Sequence, residues 1–345
     1  MFLFNNWYVA AWADEVTTRP LARRLLDLPV VLYRTASGRA VALEDRCPHR
    51  AVSLSQGMVD GELLRCIYHG MEFDCSGACV KVPGQPGIPD GARVRNYPLV
   101  ERDALLWIWM GEPCRADPAV IEPWPYHVDP EHWGWKSTTY LIRANYELIH
   151  DNLLDLSHLA YVHQRTVGGA APEIHFAAKV KTEKSERGVV VTRWLLDSPP
   201  PPTYAKNVRF KGHVDRWQEV TFRPGFCNIY SGAVDVGQGA FEGNRSGGFQ
   251  NRNLNAITPE SATTTHYFWS GANGYRVGEP GITEAHFDEL ARTFLEDKEV
   301  LEDQQRRLAD DPQRPWVNIH GDLAGIYARR IVERLRNEER ENGWV

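Results

Sequence analysis

Two cysteines and two histidines stand in two short pairs in the first quarter of the chain. One residue separates Cys47 from His49, and two residues separate Cys66 from His69. Two thiolates and two imidazoles can hold a tetrahedral zinc ion, and they equally suit a [2Fe–2S] cluster in which two histidines replace two cysteines on one iron. Both pairs lie in Pro- and Gly-rich loops between strand-like segments, whereas a zinc finger more often carries one ligand pair on a helix. The surroundings therefore favour the iron–sulfur cluster.

A second group of polar residues lies within twelve positions of one predicted helix. Asn152, Asp155 and His158 are spaced by three residues, which places them on one side among leucines, where buried polar groups must be paired or bind a metal. His163 is five residues beyond His158, about 140° around an ideal helix. Two histidines on a straight helix with this spacing do not meet at one ion and are more often core residues. A metal site here predicts an irregularity, such as a π-type bulge.

A third ligand is predicted in the last quarter of the chain. Leu290, Phe294, Asp297 and Leu301 recur at helical spacing, so Asp297 lies within an apolar stripe where a carboxylate needs a reason. Together with His158 and His163 it would complete the two-histidine, one-carboxylate set of a mononuclear non-haem Fe(II) site, which leaves positions open for O₂ and substrate.

The elements that must position these residues indicate an α+β protein. Short strands separated by turns are predicted over the first part, a Pro-rich linker near residue 115, and one long helix over Tyr140–Gln164. A strand-rich stretch and two further helices follow. We therefore expect two domains, residues 1–115 with a β-rich framework for the Cys–His pairs and residues 116–345 with the mononuclear site.

Composition narrows the functional classes further. The 345 residues carry a net charge of −6, which gives no reason to expect nucleic-acid binding. The apolar runs are too short to span a bilayer, and no membrane association is predicted. Six cysteines in a chain of this length do not make a disulfide framework, so a cytoplasmic protein is expected. Cys75 and Cys79 are expected to be structural thiols.

Several segments together resemble the oxygenase component of the Rieske non-haem iron oxygenases, in particular the vanillate and dicamba O-demethylase group. The likeness runs through nearly the whole chain and is carried by "CPHR", "CIYHGMEFDCSGACV", "DNLLDLSHLAYVH", "ITPESATTTHYFW" and "FLEDKEVLEDQQ". It implies a Rieske [2Fe–2S] domain followed by a helix-grip-like catalytic domain with an antiparallel sheet and C-terminal helices, and a head-to-tail homotrimer.

The resemblance also implies roles for individual residues. Cys47, His49, Cys66 and His69 would hold the cluster, and His158, His163 and Asp297 the iron. Asp155 and Asn152 would be catalytic. Electrons would pass from His69 of one chain to Asp155 of the next and on to His158.

The expected activity is monooxygenation of a small aromatic compound, with O-demethylation of a methoxylated acid or phenol the leading reaction. N-dealkylation, aryl-methyl hydroxylation and ring dihydroxylation stay open, as does a less favoured electron carrier without oxygen chemistry. Electrons from NAD(P)H would arrive through a separate flavin and iron–sulfur reductase, because the chain has no G-x-G-x-x-G fingerprint. Asn255 is a candidate substrate-binding residue, and because its amide carries no charge, an anionic substrate is less strongly indicated.

Overall fold

The structure is a computed structural model that describes residues 2–169 and 172–344. The described chain forms two compact units. The first contains the residues up to Pro123, the short segment Thr258–Ala262 and the residues from Glu338 onward, and the second contains Trp124–Ile257 and Thr263–Asn337. The first unit thus takes in two late segments that the sequence analysis assigns to the second domain. The boundary between residues 115 and 116 stays a prediction.

The first unit is built from ten short strands in three sheets. They are β1 (Trp7–Trp12), β2 (Leu21–Leu25), β3 (Leu28–Arg34), β4 (Ala40–Glu44), β5 (Met58–Asp60), β6 (Leu63–Arg65), β7 (Glu72–Phe73), β8 (Cys79–Lys81), β9 (Leu99–Arg102) and β10 (Leu105–Trp109). The sheet orders are β1-β10-β9, β2-β3-β4 and β5-β6-β7-β8. Short 3₁₀ turns occur at Leu54–Gln56, Pro113–Arg115 and Pro118–Val120.

The loops that carry the Cys–His pairs follow strands of this framework. Cys47 lies three residues after β4, and Cys66 directly follows β6. The predicted hairpin of β3 and β4 is present, and Gly38 provides the left-handed backbone (φ 86°) that its turn requires. Buried side chains, including those of Cys47 and Cys66, form one apolar core beneath both loops. The core therefore anchors each loop through its cysteine.

The N-terminal residues of the first unit are held by a residue from the far end of the chain. Glu339 is buried, and its carboxylate accepts hydrogen bonds from the backbone amides of Phe4 (3.0 Å) and Asn5. These amides precede β1, whose six residues are all buried. A carboxylate that accepts two backbone N–H bonds fixes the chain direction at the start of the strand.

The second unit is organised around one seven-stranded sheet. Its strands are β11 (Gly134–Ile142), β12 (Lys179–Lys184), β13 (Val189–Ser198), β14 (Val214–Arg223), β15 (Phe226–Asp235), β16 (Phe249–Pro259) and β17 (Thr265–Asn273). Their order is β11-β17-β16-β15-β14-β13-β12; β11 pairs antiparallel with β17, and the strands from β12 to β16 pair antiparallel in succession. The alternation of side chains along these strands places every second residue on the face that lines the site.

The described residues of the second unit also contain five helices and most of a sixth, whose last residues, from Glu338 onward, belong to the first unit. They are α1 (Tyr146–Leu154), α2 (Leu159–Val162), α3 (Pro172–Phe176), α4 (Pro202–Asn207), α5 (Ile282–Asp310) and α6 (Leu323–Glu341), with 3₁₀ turns at Pro125–His127, Leu156–His158 and His320–Asp322. The long helix α5 packs on the sheet, where Phe287 stacks on Trp269 with ring centroids 4.8 Å apart. The predicted α+β class, with an antiparallel sheet and C-terminal helices, is confirmed.

The single helix predicted over Tyr140–Gln164 is wrong at its start and in its continuity. Its first residues belong to β11, and α1 begins at Tyr146 because the side chain of Asn145 accepts a hydrogen bond from the Glu147 amide and caps the helix. The helix ends at Leu154. None of the helices in the described ranges combines the length and apolar character that crossing a bilayer requires.

Candidate active site

The two Cys–His pairs place thiols inward and imidazoles outward. Cys47 and Cys66 are each 2% exposed, whereas His49 and His69 are exposed and their ring centroids lie 4.5 Å apart. Burial and the neighbouring Cys66 thiol raise the pKa of the Cys47 thiol. This donor set fits a [2Fe–2S] cluster, which Cys47 and Cys66 would hold from the buried side and His49 and His69 from the exposed side.

Tight turns shape both loops. The amide of Ala51 donates to the Cys47 carbonyl, and the amide of Gly70 donates to the Cys66 carbonyl. Both donor residues have left-handed backbone, with φ of 59° and 71°. Gly70 suits this conformation because it has no Cβ, and a Cβ there would approach the Pro83 side chain to 3.1 Å.

Cys75 and Cys79 have contacts within the first unit. Their thiols donate to the carbonyls of Glu62 and Lys81, at 3.7 and 3.4 Å, and both side chains pack on the apolar core of the first unit. These contacts agree with a structural role.

In the second unit three predicted ligands come together. His158, His163 and Asp297 have ligand atoms within 4.8 Å of one another, and they are the only such group of His, Cys, Asp and Glu side chains in the described ranges. Both Nε2 atoms face the same Asp297 oxygen, at 3.5 Å from His158 and 3.0 Å from His163. Two imidazoles and one carboxylate at one point fit a facial non-haem Fe(II) site.

A break in the helix allows this convergence. Asp155 has extended backbone (φ −108°, ψ 99°), and its side chain accepts a hydrogen bond from the Ser157 amide, which starts a 3₁₀ turn. His158 ends that turn, and His163 follows α2. The predicted irregularity is therefore present, as a capped break rather than a π-type bulge.

Each histidine is oriented through its Nδ1 atom. His158 Nδ1 lies 2.6 Å from the main-chain carbonyl of Asp155, and His163 Nδ1 lies 2.7 Å from Glu296 Oε2. Since both partners are acceptors, each Nδ1 carries a proton, and each Nε2 is the atom that a metal would take in place of the proton it shares with Asp297. Glu296 is not among the candidate residues that the sequence pattern indicated. The available signal was its position next to Asp297.

Glu296→Gln should weaken metal binding in the second unit. The amide oxygen still accepts from His163 Nδ1, but the negative charge that raises the basicity of the ring is lost, so we expect Fe(II) affinity to fall by about 10-fold. Chelator competition monitored by iron content measures this. Glu299→Gln, an exposed carboxylate on the same helix, should leave affinity unchanged. Equal affinities in both variants would contradict the role given to Glu296.

Asp155 contacts His158 through its main chain, not through its carboxylate. The carboxylate oxygens accept from the amide and hydroxyl of Ser157, at 2.9 and 3.0 Å. The side chain is partly exposed and lies in a cleft also lined by Asp151, Trp316 and Val317. Asp155 therefore connects two groups by itself: its side chain is an accessible carboxylate, and its main-chain carbonyl contacts the imidazole of the candidate ligand His158.

Asn152 and Asp297 are directly linked. Asn152 Nδ2 donates to Asp297 Oδ1 at 3.0 Å. Burial alone would raise the pKa of Asp297, but hydrogen bonds from His158 and His163 outweigh it and hold the pKa well below its usual range. The carboxylate is therefore in the ionised form that binds metals.

A cavity adjoins these ligands. It encloses about 540 Å³ of empty space including its mouth. Helices contribute apolar side chains together with the candidate ligands, and strands β14, β15 and β16 contribute four further polar side chains. Lining residues include Asn152, His158, His163, Asp297, Gln218, Ser231, Asn251, Asn253, Leu290 and Phe294. A mainly apolar pocket with a few convergent polar groups beside a metal site is typical of small-molecule binding.

Asn255 does not belong to the described lining of this cavity. It is fully buried, its Nδ2 donates to the Cys227 carbonyl at 3.2 Å, and its Oδ1 accepts from Tyr267 Oη at 2.7 Å. Both ends of the amide are occupied within the protein, so the structure does not support the predicted contact with substrate. Asn251 and Asn253, on the same strand face, reach the cavity instead.

Two family profiles match the chain. The Rieske [2Fe-2S] domain matches residues 6–98, and the vanillate O-demethylase oxygenase C-terminal domain matches residues 142–338. The first range contains both Cys–His pairs, and the second contains all three candidate iron ligands.

Similar proteins cover nearly the whole chain. A putative toluene-4-sulfonate monooxygenase system iron-sulfur subunit from Comamonas testosteroni is 41% identical, over 98% of each chain. A vanillate O-demethylase oxygenase subunit from a Pseudomonas species is 35% identical, over 99% of this chain and 97% of the relative. The crystal structure of dicamba monooxygenase bound to 3,6-dichlorosalicylic acid superposes with a TM-score of 0.90 at 31% identity, over 98% of each chain.

Proposed function

This chain belongs to the Rieske oxygenase components that share the vanillate O-demethylase oxygenase C-terminal domain, and on that premise we propose that it hydroxylates a small aromatic substrate, with O-demethylation as the leading reaction. The convergence of His158, His163 and Asp297 at the wall of a largely apolar cavity carries the proposal. It brings a candidate Fe(II) site and a space for substrate together in one unit.

The reaction consumes one O₂, two electrons and two protons, and it yields one hydroxylated product and one water. When bound by these ligands, mononuclear Fe(II) supplies the O₂ activation that inserts one oxygen atom into a C–H bond. Hydroxylation of a methoxy carbon gives a hemiacetal, which breaks its C–O bond to release a phenol and formaldehyde. Asn152 keeps Asp297 oriented, and Leu290 and Phe294 exclude water from the reacting carbon.

Aryl-methyl hydroxylation is the second candidate. The relative at 41% identity and another at 39% identity are both named for toluene-4-sulfonate, whose oxidisable group is an aryl methyl. The vanillate and dicamba enzymes are named for O-demethylation. Both reactions begin with insertion of oxygen into a methyl C–H bond, so one cavity serves either, and the product distinguishes them.

Electrons come, in this proposal, from NAD(P)H through a separate flavin and iron–sulfur reductase. Relatives are named as oxygenase components or as subunits of monooxygenase systems. The exposed imidazoles of His49 and His69 give the cluster an accessible side for accepting and passing on electrons.

We further propose a head-to-tail homotrimer in which His69 of one chain meets Asp155 of the next. Beside His69, the side chains of Ile67 and Tyr68 are 64% and 62% exposed. Beside Asp155, Val317 is 88% exposed. Exposed apolar groups at both ends of the route support an interface there.

The test supplies the purified protein with such a reductase, NAD(P)H and O₂, and offers para-methoxybenzoate and para-toluenesulfonate. O-demethylation predicts formaldehyde from the first compound in proportion to O₂ consumed, and methyl hydroxylation predicts a benzyl alcohol from the second. An electron carrier without oxygen chemistry would form neither product. That result, with the cluster and iron both loaded, would overturn the proposed function.

A further inference from the structure

Four polar side chains form a row across four neighbouring strands of the second unit. Arg193 on β13 pairs in register with Gln218 on β14, Gln218 with Ser231 on β15, and Ser231 with Asn251 on β16. All four are less than 9% exposed, and the last three line the cavity that contains the candidate iron ligands. A buried polar row is costly unless its groups are satisfied, so the direction of each hydrogen bond matters.

The orientation of Gln218 follows from its arginine neighbour. Arg193 Nη1 lies 2.9 Å from Gln218 Oε1, and a guanidinium has donors only, so the amide atom that faces it is the oxygen. The Nε2 group of Gln218, at the other end of the amide plane, donates no hydrogen bond to any residue that the structure describes. Gln218 therefore presents N–H donors to the cavity and no acceptor.

The orientation of Asn251 follows from a backbone carbonyl. Asn253 Nδ2 donates to the Ser270 carbonyl at 3.3 Å, which leaves Asn253 Oδ1 to accept from Asn251 Nδ2. Asn251 Oδ1 then accepts from His286 Nε2 at 2.8 Å. The second hydrogen on Asn251 Nδ2 donates to Ser231 Oγ at 3.1 Å. Every direction in this network is fixed because a backbone carbonyl can only accept.

Ser231 ends the network as a donor. The Ser231 oxygen accepts from Asn251 Nδ2, and the Ser231 O–H has no acceptor among the residues that the structure describes. Gln218 and Ser231 are directly opposite on adjacent strands, where Cβ atoms lie about 5 Å apart. The cavity thus offers two neighbouring donors, close enough to serve the oxygens of one group.

Two buried cations lie behind these donors. Arg193 and Arg216 are 4% and 0% exposed, and their hydrogen bonds go to neutral groups. The Asp155 carboxylate acts on Arg193 only through its charge, and Arg216 Nε has no hydrogen-bond partner in the part of the chain that the structure describes. Burial, with the charges of both arginines, lowers the pKa of His175 to about 4. The two guanidinium groups therefore make this region positive, and neither has a carboxylate within hydrogen-bond distance among the described residues.

Arg216 also touches the cavity wall from behind. Its Nη2 donates to the Val167 carbonyl at 3.0 Å, and its guanidinium carbon lies 5.2 Å from the ring centroid of Tyr204. Val167 and Tyr204 both line the cavity. Because buried charges interact strongly through a medium of low polarisability, an anion in the cavity would gain from both arginines.

We propose that Gln218 and Ser231, backed by Arg193 and Arg216, form a subsite that binds the oxyanion group of the substrate, a carboxylate or a sulfonate. This inference rests on the proposed function, since it assigns the substrate class of the same cavity. This subsite replaces Asn255 as the polar contact to the substrate. It also favours an anionic substrate, whereas the uncharged amide of Asn255 indicated one less strongly. The donors would hold the substrate by its anionic group and so select which carbon reaches the iron site.

The test compares three ligands that differ at one group: para-methoxybenzoate, para-methoxybenzenesulfonate and para-methoxybenzamide. Dissociation constants are measured by calorimetry on the full chain with both metals loaded, without turnover. The parent protein should bind at least one of the two anions more than about 10-fold more tightly than the amide. The tighter anion identifies the oxyanion as carboxylate or sulfonate. Equal affinity for all three ligands would overturn the proposal.

Two variants and a control sharpen the result. Gln218→Glu puts an acceptor and a negative charge where donors stood, and should weaken anion binding on the order of 100-fold while changing amide binding little. The new carboxylate pairs with Arg193, which favours folding. Ser231→Ala should cost about 10-fold for the anions alone. Gln238→Glu adds the same charge at an exposed turn and should have no effect. Equal losses for all ligands in both cavity variants would refute the subsite.

Product analysis separates this inference from the proposed function. A parent protein that discriminates the anions as stated, but releases no formaldehyde with a reductase, would retain the subsite and lose the function. Formaldehyde formed equally well from the amide and the anions, with binding unaffected in the variants, would retain the function and lose the subsite.

Discussion

Asp297→Ala should remove the iron of the second unit and reduce turnover to the level of the reaction without protein. The carboxylate supplies the oxygen ligand at the point where the Nε2 atoms of His158 and His163 meet. Two imidazoles without it form an incomplete site. Iron content should fall from about three atoms per chain to about two, and the two that stay are those of the cluster. The Rieske electron paramagnetic resonance signal of the reduced protein should be unchanged.

A neighbouring carboxylate provides the control. Asp303 lies on the same helix, is exposed, and pairs with Arg306 at 2.9 Å. Asp303→Ala should retain about three irons and full turnover. If the Asp297 variant kept its third iron, the ligand set read from this geometry would be incorrect. Loss of the cluster signal in the same variant would point to misfolding, and His163→Ala then provides an independent test of the site.

Asp155→Asn should lower turnover by about 100-fold while both metal sites stay loaded. Asn keeps the shape of the side chain and is a good cap, so the 3₁₀ turn that carries His158 should persist. What is lost is the negative charge facing the cleft, where the proposed donor from the neighbouring chain would bind. Rapid mixing of reduced protein with O₂ and substrate should show slow oxidation of the cluster.

Ser157→Ala separates charge from local hydrogen bonding. It removes the hydroxyl that donates to Asp155 Oδ2 and leaves the carboxylate in place. We expect turnover within about threefold of the parent, since the Asp155 carboxylate keeps its charge and still accepts from the Ser157 amide. An Asp155→Asn variant with parental turnover would mean that electrons do not pass through this residue.

The sequence carried those site features that depend on local spacing. The Cys–His pairs stand out because their ligands are one or two residues apart. Asp297 was recognisable because a carboxylate interrupts an apolar stripe at helical spacing. The incompatibility of a straight helix with convergence of His158 and His163 predicted a break, although the residue that causes it, Asp155, became clear only from its backbone angles and cap.

The features that the sequence could not provide depend on strand register. Gln218, Ser231 and Asn251 lie in three separate strands, and only the pairing of those strands makes them one row. Asn255 shares a strand face with Asn251 but lies where Tyr267 occupies its amide oxygen. Period-two alternation identifies a face, whereas position along the strand decides which residue reaches the cavity.

The carboxylate of Glu339 has a consequence for how the chain folds during synthesis. The amides that it holds, those of Phe4 and Asn5, leave the ribosome more than three hundred residues before it does. The first unit, although made first, therefore cannot complete its hydrogen bonding until translation has passed through the second. Cluster insertion into a nascent chain would meet a unit in which the residues before β1 are not yet held by Glu339, and maturation after release is the expected order.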